Sequence, residues 1–180
     1  MWHSNQFNDL ELPTVHLQPS ELLVAKNPTV LVTILGSCVA VCLFDRKRKV
    51  GAMCHGLLPR SKANADAGEC RRFVDCSIHT MVRGLAEQCG SLPGDLEAKV
   101  FGGASMFNCT PRKGSDNLMR RVGIENIKAA QDVLRQYGMK VSVEEVGADG
   151  GYKIYFESHT GKVLCKLLRS PDRTPLFAGR

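Results

Sequence analysis

The sequence predicts a single domain of the α+β class, and three observations predict it. First, 180 residues suffice for one domain that buries about 70% of its unfolded surface. Second, the apolar, β-branched runs come in pairs around short polar or glycine-containing turns, the pattern of hairpins. Third, helical periodicity occurs in only two long stretches and does not alternate with the strands, which argues against a doubly wound parallel sheet.

The elements follow in order. Residues 1–14 are polar and read as a flexible N-terminal segment. The body of the domain spans residues 15–168, and its expected strands are Val30–Leu35, Val39–Phe44, Val50–Leu57, Lys99–Gly102, Lys140–Val146, Tyr152–Glu157 and Lys162–Leu168. Ser158–Gly161 joins the last two as a second hairpin. A first helix is expected over Arg71–Gln88, with Val74, Ile78, Met81, Val82, Leu85 and Cys89 on one stripe and Gly90 as its stop. A second is expected over Gly123–Tyr137, burying Ile127, Ala130, Val133, Leu134 and Tyr137, with Gly138 after it. Between them, Phe101–Phe107 carries two adjacent glycines, which calls for positive φ or close backbone approach at the floor or rim of a cleft. Residues 169–180 form a C-terminal tail with two prolines and little periodicity.

Composition excludes several functions. Hydrophobic content of 43% and charged content of 23% are those of an ordinary globular protein. No apolar run approaches the roughly 20 residues a bilayer-crossing helix needs. The first ten residues lack the basic segment and apolar core of a signal peptide, so a cytoplasmic location without membrane insertion is the expectation. The net charge of +6 favours acidic partners. Its densest cluster, Arg46–Lys49, reads as a solvated turn, and aromatics do not gather near the basic runs as nucleic-acid binding requires. The eight cysteines, in a chain of this length without an export signal, are expected to be reduced thiols. Cys42, Cys76, Cys89 and Cys165 sit in apolar patterns as small core residues.

Cys38 stands apart. It follows Gly36 and Ser37 and opens the strand of a hairpin whose other strand ends at His55, with Asp45–Lys49 as the turn. With the turn centred near Lys47, His55 is expected to face Val39 and lie diagonal to Cys38, about 7–8 Å away at the backbone. A one-residue slip of register would put the two on opposite faces. Cysteine with histidine is the minimal set for thiolate nucleophilic catalysis, because the imidazole takes the thiol proton and then stabilises the anion. Three readings of these residues stand: a thiol hydrolase, a zinc site made from Cys38, Cys42, Cys54 and His55, or a binding module in which none of them acts. Zinc fits poorly, because the spacing within an apolar strand is not that of a knuckle and Cys54 and His55 point to opposite faces.

Val32-Thr-Ile-Leu-Gly-Ser-Cys-Val-Ala-Val-Cys42 followed by Gly51-Ala-Met-Cys-His-Gly-Leu-Leu-Pro59 resembles the CheD family of chemoreceptor glutamine deamidases. Phe101-Gly-Gly-Ala-Ser-Met-Phe107, Gly123-Ile-Glu-Asn126 and Tyr152–Lys166 with its Thr160-Gly161 turn are further matches. The resemblance runs from about residue 20 to 168. It implies a β-sandwich-like mixed fold flanked by helices. It also implies hydrolysis of particular glutamine side chains to glutamate, with release of ammonia, on the cytoplasmic helical bundle of methyl-accepting chemotaxis receptors. Position by position it implies Cys38 as nucleophile, His55 as general base and Thr33 as the residue that orients the histidine. The backbone N–H of Cys38 and that of a neighbour, Gly36 or Ser37, are then the expected oxyanion donors, and no metal or organic cofactor is required. A CheC-type phosphatase is an implied partner, and a non-catalytic adaptor that binds receptors or that phosphatase is the competing class.

Overall fold

The computed structural model describes residues 12–61, 66–104 and 115–168. The expected N-terminal segment lies mostly, and the 169–180 tail wholly, outside the described residues. Nine strands are described: β1 (Thr14–His16), β2 (Leu22–Ala25), β3 (Val30–Leu35), β4 (Val39–Asp45), β5 (Val50–Gly56), β6 (Leu96–Gly102), β7 (Val141–Val146), β8 (Gly151–Glu157) and β9 (Val163–Leu168). The helices are a single turn, α1 (Ala67–Cys70), and the two main ones, α2 (Val74–Cys89) and α3 (Ser115–Gln136).

The strands form two sheets, one of four in the order β1-β3-β8-β9 and one of five in the order β2-β5-β4-β6-β7. The alternation along β4 explains how they stack. Val39, Val41 and Leu43 point to one side and pack with Ile78, Met81 and Leu85 of α2 and Ala130, Val133 and Leu134 of α3. Ala40, Cys42 and Phe44 point to the other side and meet Leu31, Leu35, Ile154 and Phe156 of the four-stranded sheet. The molecule is therefore three layers, helices on a five-stranded sheet on a four-stranded sheet, which is the α+β class with mixed, sandwiched sheets. The seven expected strands and both main helices are present. β1 and β2 are additional, and at three and four residues they are too short to show a periodicity.

Two helix starts differ from expectation. Residues 71–73 do not join α2, because the Arg72 carbonyl accepts the N–H groups of Leu57 and Leu58 and Phe73 forms a bridge with Leu58. α3 begins at Ser115, well before Gly123, through a first segment whose apolar residues Leu118 and Met119 are exposed and not part of the buried face. Gly90 closes α2 in the left-handed region, φ 70°, its N–H bonded to Ala86 O.

The β4–β5 register differs from expectation by one residue. His55 faces Ala40, and Val39 faces Gly56. The cause lies in the turn, where the Asp45 carboxylate accepts the N–H groups of Lys47 and Arg48 while Lys49 N–H returns to Asp45 O at 2.8 Å. The hairpin thus closes on the Asp45–Val50 pair and not about Lys47. Directly opposed residues share a face, so His55 joins Ala40 on the side between the sheets, the side to which Cys38, two positions from Ala40, also packs. Pairing with Val39 would have turned the imidazole toward the helices.

The cysteine expectation needs one correction. Cys70 and Cys76 are joined as a disulfide, their Cα atoms brought to 5.4 Å by the bend between α1 and α2. Cys38, Cys42, Cys54, Cys89 and Cys165 are free thiols, and Cys109 lies outside the described residues. No helix among the described residues is long and apolar enough to cross a membrane.

Candidate active site

Gly36, Ser37 and Cys38 form the loop by which the chain passes from β3 in one sheet to β4 in the other. Every carbonyl of this loop is held. Gly36 O accepts Ala104 N–H at 2.8 Å, Cys38 O accepts Gly103 N–H at 2.7 Å, and Ser37 O accepts an Asn126 Nδ2 hydrogen at 3.0 Å. The Phe101–Phe107 segment therefore forms a support under the cysteine as far as Ala104, and its remaining residues lie outside the described ones. The close approach depends on Gly102, whose φ is 109° and where a Cβ would collide with Cys38 O.

Thr33 reaches the same place from the opposite layer. Leu31, Thr33 and Leu35 are the inward positions of β3, between which Ile34 points out and is 58% exposed. Thr33 Oγ1 lies 2.7 Å from His55 Nδ1 and donates to Leu17 O at 2.9 Å. A hydroxyl has one hydrogen. With that hydrogen on the Leu17 carbonyl, Thr33 Oγ1 can only accept from the ring, so Nδ1 carries the imidazole proton and Nε2 carries the lone pair. Nε2 is buried and has no hydrogen-bond partner among the described residues. An orphaned acceptor is tolerated better than an orphaned N–H in such a position, which agrees with this tautomer. The His55 main chain is fixed by Glu21 O and Ser20 N–H, from the segment that leads into β2.

Burial acts on both titrating groups. It pushes the Cys38 thiol above its ordinary value, an effect opposed by the residue's own backbone N–H. It pushes His55 below its ordinary value, opposed by the Leu17 carbonyl and the charge of Glu21. Low polarity thus favours the neutral form of the thiol and the neutral form of the imidazole.

Of the expected site residues, Thr33 and His55 meet directly, and Gly36, Ser37 and Cys38 form the nearby loop at the junction of the two sheets, with no hydrogen bond from Cys38 to His55 Nε2. Cys42 and Cys54 do not join them as a metal site: Cys54 lies on the helix side and Cys42 between the sheets. Among the described residues no group of three histidine, cysteine or acidic side chains has metal-holding geometry. The Arg46–Lys49 cluster sits at the far end of β4, about 25 Å from the cysteine at a strand's rise per residue. There Arg46 pairs with Glu97, Lys47 with Asp95, and Arg48 with Asp45 and Asp95. Asn126, fully buried and bonded to both Ser37 O and Leu57 O, had no role in the sequence reading. The signal was present: it is a polar residue in register with the buried stripe of a helix.

The family model described as CheD chemotactic sensory transduction matches residues 57–167. The chain is 38% identical over 162 residues to a probable chemoreceptor glutamine deamidase CheD of Geobacter sulfurreducens, covering 90% of this chain and 94% of that one. The chain belongs to the CheD family. The chemoreceptor glutamine deamidase CheD of Thermotoga maritima is also 38% identical, over 81% of this chain and 87% of its own. So is a probable family member of Thermococcus kodakarensis, over 78% and 84%. Among solved structures, hypothetical protein YfiH of Bacillus licheniformis aligns with a TM-score of 0.46 at 14% identity, covering 71% of this chain and 51% of that one. The matched family segment begins after Thr33, Cys38 and His55, whereas the 162-residue match to the Geobacter relative is long enough to span them.

Proposed function

We propose that this member of the CheD family is a cytoplasmic protein-glutamine deamidase, an amidohydrolase acting through a cysteine nucleophile. Its substrates are glutamine side chains on the helical bundle of methyl-accepting chemotaxis receptors. The observation that carries this reading is the Leu17–Thr33–His55 hydrogen-bond chain, which leaves a lone pair on the imidazole nitrogen that remains unpaired, on the face that Cys38 shares. The names of the relatives supply the substrate class.

The steps follow from the tautomer. His55 Nε2 takes the Cys38 proton, and the thiolate attacks the carboxamide carbon of the glutamine. The tetrahedral oxyanion is held by backbone N–H groups of the Gly36–Cys38 loop. The imidazolium returns its proton to the nitrogen as the C–N bond breaks, ammonia leaves, and a thioester remains. A water gives a proton to His55 and its oxygen to the thioester carbon, and the proton then returns to the departing Cys38 sulfur. The sum is glutamine plus water to glutamate plus ammonia, with cysteine and histidine restored. A CheC-type phosphatase is the expected second partner at the same surface.

The test incubates the full chain with a receptor cytoplasmic fragment, reading ammonia release and the conversion of a carboxamide to an acid by mass spectrometry. Cys38→Ala and His55→Ala should each abolish both signals while circular dichroism shows the fold retained. Full activity in either folded variant would overturn the assignment. Binding of the fragment without any conversion by the wild-type chain would leave a docking protein in its place.

A further inference from the structure

Among the described residues, Asn126 is the one wholly buried side-chain amide that touches the Gly36–Cys38 loop, and its two donors are divided between the two segments that carry the site. One Nδ2 hydrogen goes to Ser37 O and the other to Leu57 O, each at 3.0 Å. Ser37 precedes Cys38 and Leu57 lies two residues after His55. The amide orientation follows from these partners, because a flipped Oδ1 would face two carbonyl oxygens. Asn126 Oδ1 itself is buried without a partner among the described residues. A buried acceptor left unpaired costs stability, and this helix position would be cheaper to fill with an apolar residue such as Ala129 or Ala130, which share the buried face of α3.

The benefit lies in the peptide that Asn126 holds. All peptides here are trans, so the carbonyl and the N–H of one peptide unit point in opposite directions. Turning Ser37 O toward α3 turns Cys38 N–H away from α3, toward the side chain it precedes. That N–H opposes the upward push of burial on the Cys38 thiol. A carbonyl that accepts a hydrogen bond also makes the N–H of its own peptide a stronger donor.

We propose that Asn126 is a positioning residue for the reaction: it orients the Ser37–Cys38 peptide so that Cys38 N–H serves the thiolate and the oxyanion. By the same side chain it ties that peptide to the strand end carrying His55. The inference rests on the deamidase reading and extends it to a residue on the helix layer that does not touch the reacting atoms.

The experiment compares wild type with Asn126→Asp, isosteric but without the two donors, and Asn126→Ala. Each is assayed for kcat and KM on a receptor fragment and for the pH dependence of Cys38 alkylation. Expected are a kcat lower by about tenfold to a hundredfold, a KM within twofold, and an alkylation midpoint moved to higher pH in Asn126→Ala. A merely structural role would lower the melting temperature and the active fraction and leave the alkylation midpoint where it is, and that result overturns the proposal. Should neither variant fold, the native protein is labelled at its asparagine side chains. The Asn126 amide protons are then expected to resist exchange and to shift in step with Cys38 titration, and an amide resonance indifferent to that titration overturns the proposal. Absence of deamidation by wild type strikes the deamidase reading instead, and is told apart by that control.

Discussion

His55 owes its usable nitrogen to a hydroxyl from the other sheet. Thr33 accepts from Nδ1 only because Leu17 O takes its own hydrogen, so removing the hydroxyl leaves a buried ring N–H without its acceptor and frees the tautomer. Thr33→Val should lower kcat by about tenfold to a hundredfold, less than loss of Cys38 or His55, and Thr33→Ser should recover most of it. Equal activity in Thr33→Val and wild type would remove Thr33 from the site. Burial also fixes the direction of the pH response. Burial holds His55 below its ordinary value of 6.5, and the proposed mechanism needs the neutral ring, so the acid limb of kcat/KM should fall below pH 6.5. A limb at or above that value would show a charged partner that raises the ring's pKa. Stability should respond to the same proton. As the pH drops from about 6.5 through the folded-state value, the unfolded chain binds a proton that the folded chain refuses, so this group's contribution is complete above that window and is lost across it. Urea titrations of wild type and His55→Gln over this range should show the steeper loss in wild type.

At the scale of elements, the site is a loop clamped from beneath by another loop. Gly102 ends β6 and Gly103 follows it, with φ of 109° and 60°, and Gly103 N–H holds Cys38 O. Gly102→Ala would demand a conformation that L side chains rarely adopt and would push a methyl into that carbonyl. The expected cost is about 1–3 kcal/mol in denaturant unfolding, with kcat reduced in the fraction that remains folded, because the displaced atom belongs to Cys38, the proposed nucleophile. Unchanged kcat in the folded fraction would show that the clamp is purely structural. The hairpin and the glycine pair were legible in the sequence because a run of β-formers, a charged turn and two adjacent glycines are local signals. The register was not, since Asp45–Lys49 offers several places to turn, and the choice is made by hydrogen bonds from Lys47 and Arg48 to the Asp45 carboxylate. Thr33 entered only through family resemblance, and Asn126 was there only one letter of a matching segment, its contacts visible in the structure alone. Each meets the site from another layer, and no local spacing encodes an encounter between layers.

The whole molecule turns that layering into a sensitivity. Thr33 belongs to the four-stranded sheet and His55 to the five-stranded one, so their 2.7 Å contact measures the separation of the two sheets at the site's edge. Leu35 packs in that interval near the position where a Gly102 Cβ would stand, whereas Leu85 fills the other interval, between the five-stranded sheet and the helices. Both are completely or almost completely buried leucines, and truncating either to alanine should cost about 2–5 kcal/mol of stability, set by how far the surroundings collapse. Collapse around Leu35→Ala draws the sheets together or tilts them, which disturbs the Thr33–His55 bond and the Cys38 loop. Collapse around Leu85→Ala shifts α2 over the opposite face of the same sheet and leaves that bond alone. At a temperature where both variants are fully folded, Leu35→Ala should therefore lose kcat and show an altered acid limb, while Leu85→Ala, though comparably destabilised, should match wild type in both. Equal losses in the two would mean that the site answers to global stability and not to the spacing of the sheets whose edges it bridges.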